Sequence, residues 1–125
     1  MKILVVDDEI IVARALTRAF ESKGHEVSVA HSGPEGLEKW LTLKPDAIML
    51  DVVMPGLTGP QVIEEFKRRN ESVEKPARVI LMTAHSGIKG RESALSLGAD
   101  DFIQKPFHNI FDLVKHVEQL AGASE

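Results

Sequence analysis

Cysteine is absent from this chain of 125 residues, and long apolar runs are absent as well. Without cysteine the chain forms neither a disulfide framework nor a thiolate-bound metal site. A membrane-spanning helix needs roughly 18 or more consecutive apolar residues, and no stretch of the sequence approaches that length. These absences argue against a disulfide-stapled secreted domain and against a membrane protein, and they predict a cytoplasmic location.

An excess of basic residues is lacking too. Lysine and arginine number 15 against 19 aspartate and glutamate, which gives a net charge of −4. Domains that bind nucleic acid through its phosphates are usually basic. We therefore expect no direct nucleic-acid binding by this domain.

Short apolar runs alternate with longer segments of helical periodicity. The runs span residues 3–6, 26–30, 47–50, 77–82 and 101–104. In the first intervening segment Val12, Leu16, Ala19 and Phe20 recur at the spacing of one helix face. Residues 32–35 and 58–61 have the composition of capping boxes that would start two of the helices. The pattern predicts five βα units in one α/β domain over residues 1–121, with residues 122–125 as a tail or the start of a linker.

The apolar runs differ in a way that predicts the order of the strands. The first, third and fourth are almost continuously apolar, which is typical of strands covered on both faces. The second and fifth are shorter or more polar, as edge strands are. This predicts a flavodoxin-like, doubly wound parallel sheet in the order 2-1-3-4-5.

Polar residues follow four of the runs. Asp7 and Asp8 follow the first, Asp51 the third, Thr83 the fourth and Lys105 the fifth. Parallel strands bring their carboxyl ends to one rim, where ligands of open α/β sheets bind. Three clustered carboxylates favour a hard divalent cation such as Mg²⁺. A hydroxyl and an ammonium beside such a site suit a phosphoryl group, with the central Asp51 as its nucleophile.

Four segments make the chain resemble the receiver domain of two-component response regulators, similar to the chemotaxis regulators. They are VVDDE at residues 5–9, MLDVVMPG at 49–56, LMTA at 81–84 and GADDFIQKPF at 98–107. The resemblance extends from Lys2 to about Leu120. It implies Asp51 as the phosphoacceptor, with Mg²⁺ held by Asp8, Asp51 and the Val53 carbonyl, and by Asp7 mostly through water.

The resemblance also implies roles for residues around the acidic cluster. Thr83, Ala84 and Lys105 would contact the phosphoryl group, Thr83 and Phe102 would form the switch, and the Lys105–Pro106 bond would be cis. Val53 and His85 are candidates for tuning the lifetime of the phosphorylated state, although a solvated loop histidine is the simpler interpretation of His85.

The partners implied are a sensor histidine kinase or histidine phosphotransfer protein as donor, and an output protein, output domain or second copy of the chain. The output would bind the face formed by the fourth helix, fifth strand and fifth helix. The chain would be a signalling switch that catalyses only its own phosphotransfer and slow autodephosphorylation. Ile10, Ile11 and Val12 stand consecutively at the start of the first helix, which cannot bury all three. They leave either one ordinary exposed aliphatic residue or a small apolar contact for the donor beside the acidic site.

Other classes of protein share parts of this pattern. A phosphohydrolase of the haloacid dehalogenase type also uses aspartate, Mg²⁺, threonine and lysine, but its nucleophile follows the first strand in an Asp-x-Asp motif. A flavin carrier needs a phosphate cradle after the first strand, where Asp7 and Asp8 would repel a phosphate. A metal-free interaction module would not require the complete acidic set.

Overall fold

Strands and helices alternate along the chain in the computed structural model, which describes residues 1–69, 77–84 and 90–122. The strands are β1 (Lys2–Val6), β2 (Glu26–Ala30), β3 (Ala47–Asp51), β4 (Arg78–Thr83) and β5 (Asp101–Gln104). The helices are α1 (Ile10–Glu21), α2 (Gly33–Leu43), α3 (Gly59–Arg69), α4 (Gly90–Ser96) and α5 (Ile110–Gly122). The predicted βα alternation is confirmed.

The five strands form one parallel sheet in the order β2-β1-β3-β4-β5. This confirms the predicted doubly wound topology. Every residue of β3 is buried, whereas β2 and β5 are largely half-exposed. The central strands are continuously apolar because helices cover both of their faces, and the edge strands need no such composition.

Successive side chains of the central strands enter two separate cores. One core packs Ile3, Val5 and Met49 against α1 and α5. The other packs Leu4, Val6 and Ile48 against α2 and α3. Because side chains alternate between the two faces, a shift of one residue in a strand would move its side chains to the wrong core. Each fully buried aliphatic side chain contributes roughly 1.5–3 kcal/mol, so such a shift would be strongly destabilising. The alternation therefore fixes which residues stand at the carboxyl ends of the strands.

The two predicted capping boxes differ in the structure. The Thr58 N–H donates to Gln61 Oε1 at 2.9 Å and the Gln61 N–H donates back to Thr58 Oγ1 at 3.3 Å, as predicted. At α2 the Glu35 N–H donates to Ser32 Oγ at 3.3 Å, but the Glu35 carboxylate accepts from the His31 N–H at 2.8 Å. The expected reciprocal box is therefore shifted by one residue, because Glu35 reaches past the cap to the end of β2.

The first helix exposes more apolar surface than one ordinary aliphatic residue. Ile10 is 56% exposed and Ile11 is 83% exposed, while Val12 turns towards the core. Within the part of the chain that the structure describes, no helix has the length and apolar character needed to cross a membrane. Gly122 continues α5, and the rest of the predicted tail lies outside the described residues.

Candidate functional site

The carboxyl ends of four strands place their polar side chains at one rim of the sheet. Asp7 follows β1 directly, Asp51 ends β3, Thr83 ends β4 and Lys105 follows β5. A Cβ atom at Gly59 would lie 2.5 Å from the carbonyl oxygen of Asp51, so only glycine lets α3 approach β3 this closely. The sheet topology thus gathers the residues that the sequence separates.

Asp7 is fully buried and closely held. Its N–H donates to the Ala30 carbonyl oxygen at 3.0 Å, and its Oδ1 accepts from the Glu9 N–H at 2.8 Å. Its Oδ2 lies 2.7 Å from the ammonium nitrogen of Lys105, yet it has no directed hydrogen bond among the described residues. A buried carboxylate oxygen in this state retains a lone pair for a cation.

Lys105 is the cation at the centre of the rim. Its ammonium nitrogen lies 2.7 Å from Asp7 Oδ2, 2.9 Å from Glu9 Oε1 and 3.3 Å from Asp51 Oδ2. The Lys105–Pro106 peptide bond is cis, which is the geometry that the resemblance implied. Burial by itself lowers the pKa of Lys105, but the contacts with Asp7 and Glu9 and the charge of Asp51 outweigh it and raise that pKa. The side chain is therefore a permanent positive charge at neutral pH.

Asp51 is the buried carboxylate in the middle of the sheet, with 5% of its surface exposed. Burial and then the neighbouring charge of Asp7 raise the pKa of Asp51 to about 7, and Lys105 only partly opposes this. One ammonium does not compensate two buried carboxylates. The rim therefore favours an additional cation.

The donor set fits a hard divalent cation. Carboxylate oxygens of Asp7, Asp8 and Asp51 all lie within 4.8 Å of one another. Asp8 is exposed, so a cation at this place would remain open to water. Mg²⁺ prefers oxygen ligands from one or two carboxylates and keeps several waters, which matches this half-open cluster.

Comparison with known proteins identifies the family. The model of the response regulator receiver domain matches residues 3–118, which is most of the chain. The chain belongs to the response regulator receiver domain family. Phosphorylation by a kinase is the general function of receiver domains, and the acidic cluster is consistent with a phosphoacceptor site.

Similar proteins include longer response regulators and isolated receiver domains. The response regulator MprA of Mycobacterium avium (strain 104) is 36% identical over 107 residues, which cover 86% of this chain and 45% of that protein. This chain thus spans about half the length of the curated relatives that it matches.

Solved receiver structures agree with the fold. A Francisella receiver domain, that of response regulator 1452, is 30% identical with a TM-score of 0.85, covering 99% of this chain and 98% of its own. The response regulator TrrA of Thermotoga maritima, solved in complex with Mg²⁺ and BeF, is 33% identical with a TM-score of 0.79. The match covers 95% of this chain and 97% of TrrA.

The remaining predicted residues of the receiver lie around the acidic cluster. Thr83 is buried at the end of β4, and the Lys105 N–H donates to its carbonyl oxygen at 2.8 Å. Ala84 is exposed next to it, and Val53 is 57% exposed in the loop after β3. Phe102 is half-buried on β5 and packs against the core shared with α2 and α3. His85 lies outside the described residues.

Two residues of the rim were not predicted from the sequence. Glu9 pairs with Lys105, and His31 Nδ1 lies 3.1 Å from the carbonyl oxygen of Asp7. The signal for His31 was its position directly after an edge strand at the same end of the sheet. For Glu9 no pattern indicated the pairing, because it depends on where the Lys105 side chain turns.

Proposed function

We propose that Asp51 accepts a phosphoryl group and that this chain acts as the phosphorylation switch of a response regulator. The observation that carries the proposal is the position of the buried Asp51 carboxylate. It lies beside the carboxylates of Asp7 and Asp8, which could hold a cation, and it also lies 3.3 Å from the ammonium of Lys105. Such a carboxylate can be a nucleophile while its neighbours neutralise the incoming charge.

The proposed reaction is an in-line phosphoryl transfer from a phosphohistidine. A carboxylate oxygen of Asp51 forms a new bond to phosphorus, and the bond from phosphorus to the imidazole nitrogen breaks. The imidazole keeps the electron pair of that bond. Mg²⁺, held by Asp7, Asp8, Asp51 and the Val53 carbonyl, would supply positive charge for the phosphoryl oxygens. Lys105 is the residue of this chain that binds another of those oxygens.

Reversal of the switch is a hydrolysis of the acyl phosphate, which we propose to be slow. Val53 and His85 are the candidate residues for setting its rate by limiting the approach of water. In this proposal the chain accepts one phosphoryl group and loses it slowly. It therefore acts as a switch and not as a phosphatase that turns over many substrate molecules.

The proposed response runs from Asp51 to the edge strand β5. A phosphoryl group adds up to two negative charges and three acceptor oxygens. The hydroxyl of Thr83 and the N–H of Ala84 would turn towards these oxygens. Phe102 would then rotate further into the space beside α4, which changes the face formed by α4, β5 and α5. Phenylalanine has no hydroxyl to anchor either state, so packing alone would set the balance.

The partners follow from the family as proposals. A sensor histidine kinase or a histidine phosphotransfer protein would donate the phosphoryl group, and exposed Ile10 and Ile11 would give it an apolar contact beside the rim. An output domain, an output protein or a second copy would bind the face of α4, β5 and α5. The reaction would take place in the cytoplasm, where such kinases present their phosphohistidine.

Acetyl phosphate tests the acceptor. With Mg²⁺ the parent should gain the mass of one phosphoryl group, labile to hydroxylamine as an acyl phosphate is. Asp51→Asn should gain none, whereas Asp46→Asn at the opposite end of the sheet should react as the parent does. Label that persists in Asp51→Asn would show that the acceptor is another residue.

Thr83→Ala tests the switch separately from the acceptor. The variant should still be phosphorylated, more slowly, but should lose most of the change in dimerisation or partner binding. Coupling energies of this kind are about 1–3 kcal/mol, so the expected loss is roughly five- to 150-fold in binding. A full response in the phosphorylated variant would exclude the route from Thr83 to Phe102.

A further inference from the structure

The carbonyl group of Asp7 is held by a side chain from the neighbouring loop. His31, the first residue after β2, places Nδ1 at 3.1 Å from this carbonyl oxygen. A carbonyl oxygen can only accept, so Nδ1 carries the proton and donates. The interaction extends the pairing of β1 with β2, in which the Asp7 N–H donates to the Ala30 carbonyl oxygen at 3.0 Å.

The backbone of His31 is itself anchored from α2. Its N–H donates to Glu35 Oε1 at 2.8 Å, and Glu35 Oε2 lies 3.1 Å from the ammonium nitrogen of Lys39. Lys39 also donates to the Val29 carbonyl oxygen on β2. The His31 N–H and then Lys39 lower the pKa of Glu35, so this anchor stays ionised at neutral pH. The side chain of His31 is thus exposed to solvent, but the backbone that carries it is held in place.

The hydrogen bond from His31 acts on the peptide group that joins Asp7 to Asp8. The side chain of Asp7 is fixed independently, because Oδ1 accepts from the Glu9 N–H and Oδ2 faces Lys105. Asp8 is exposed, so packing does not fix the direction of its carboxylate. The preceding peptide group, whose oxygen accepts from His31, sets the direction in which the Asp8 side chain leaves the backbone.

We propose that His31 is a positioning residue for the metal site, which aims the Asp8 carboxylate by holding the Asp7 carbonyl. The inference rests on the proposed function, since it concerns the affinity of the same site for Mg²⁺. His31 touches neither the cation nor the phosphoryl group in this role. Groups that orient ligands in this way change metal affinity even though they do not bind the metal.

A pair of variants separates this role from a general effect on folding. His31→Leu keeps a side chain of similar size but removes the donor, whereas His31→Asn can place its amide nitrogen near the position of Nδ1. Mg²⁺ is titrated into each protein by calorimetry at pH 8. We expect His31→Leu to weaken Mg²⁺ binding about three- to tenfold and His31→Asn to stay within about twofold of the parent.

Glu35→Ala provides a second test along the same path. If Glu35 acts through His31, its loss should weaken Mg²⁺ binding about twofold in the parent and have no further effect in His31→Leu. If the charge of Glu35 acted on the cation over a long range instead, its removal would weaken Mg²⁺ binding equally in the parent and in His31→Leu. That result would contradict the proposal that Glu35 acts through His31. His108→Leu, at an exposed histidine of the loop between β5 and α5, is the matched control and should bind Mg²⁺ as the parent does.

The amide nitrogen of Asp8 gives a readout without metal. It belongs to the peptide group whose oxygen accepts from His31, so its NMR chemical shift should move in His31→Leu and largely return in His31→Asn. Unchanged Mg²⁺ affinity in His31→Leu, or equal loss in both His31 variants, would overturn the inference and leave the proposed function standing. A parent that binds no Mg²⁺ would overturn the proposed function and the inference together.

Discussion

The carboxylates at the two ends of the sheet have different surroundings. At the amino end Asp46 accepts the Lys2 N–H at 2.8 Å, and Asp100 accepts the Val79 N–H at 2.7 Å. At the carboxyl end oxygens of three carboxylates lie within 4.8 Å of one another. Among the described residues, Lys105 supplies the positive charge there, and its ammonium nitrogen lies within 3.3 Å of carboxylate oxygens of Asp7 and Asp51.

The difference separates stability from chemistry within one sheet. A carboxylate that accepts a backbone N–H of its own stabilises the fold through that hydrogen bond. At the carboxyl end, burial and then the charge of Asp7 raise the pKa of Asp51 to about 7, so this group of carboxylates retains affinity for a further cation. Substitutions at the two ends should therefore have opposite signatures.

Asp8→Asn should show the largest effect at the carboxyl end. Removing a direct ligand should weaken Mg²⁺ binding by at least about tenfold, measured by calorimetry, and Asp7→Asn should weaken it less. Asp46→Asn, at the amino end, is the control and should leave Mg²⁺ binding unchanged. Mg²⁺ affinity in Asp8→Asn equal to that of the parent would rule out the metal assignment.

Asp51→Asn should stabilise the protein when Mg²⁺ is removed with a chelator. The pKa of Asp51 is raised from 3.8 to about 7 on folding, so the folded protein binds the proton more tightly than the unfolded chain. The free energy of unfolding of the parent therefore falls as the pH rises from about 4 to about 7.

The asparagine variant lacks this titration. Its advantage over the parent in urea denaturation should be about 1–3 kcal/mol at pH 8 and should vanish near pH 4. A destabilised Asp51→Asn at pH 8 would mean that the Lys105 pairing outweighs the cost of burying the charge.

Asp100→Ala tests the amino end. It leaves the N–H of the buried residue Val79 without its side-chain acceptor and Arg78 without its partner at 3.3 Å. We expect a loss of about 1–2 kcal/mol in the free energy of unfolding. Phosphorylation by acetyl phosphate below the unfolding temperature should be unchanged. Impaired phosphorylation of the folded variant would contradict the division between the two ends.

Glu118→Gln should have the smallest effect. Glu118 of α5 lies 2.7 Å from His25 at the start of β2, but it is partly exposed. Such pairs contribute about 0.2–1 kcal/mol, so the shift in the urea midpoint should be small. Its Mg²⁺ affinity should equal that of the parent, and a change would reveal coupling between the two ends.

The fold and the residues at the strand ends could be predicted because each rests on a local pattern. Continuous apolar runs mark β1, β3 and β4, and the parallel topology then brings Asp7, Asp51 and Thr83 to one rim. The shifted cap at Glu35 and the exposure of both Ile10 and Ile11 could not be predicted. They depend on where α1 and α2 begin relative to the sheet, which the pattern locates only to within a residue or two.

The contacts of Glu9 and His31 were beyond prediction for a related reason. Both side chains are exposed or at a loop, where several rotamers are open and packing leaves the choice to neighbours distant in sequence. The Lys105 side chain comes from 96 residues away to meet Glu9. The sequence pattern predicts where the backbone of such a residue lies, but not the direction in which its side chain points.

The stacking of Trp40 on Phe66 has a consequence for spectroscopy. Their ring centroids lie 3.9 Å apart at an interplanar angle of 8°, and Trp40 is 4% exposed between α2 and α3. The chain has one tryptophan and no tyrosine, so its near-ultraviolet absorption and fluorescence arise almost entirely from this indole. The optical signal therefore reports whether α2 and α3 are packed together. Emission should shift to longer wavelength when the chain unfolds, while events at the acidic rim are better followed by calorimetry or NMR.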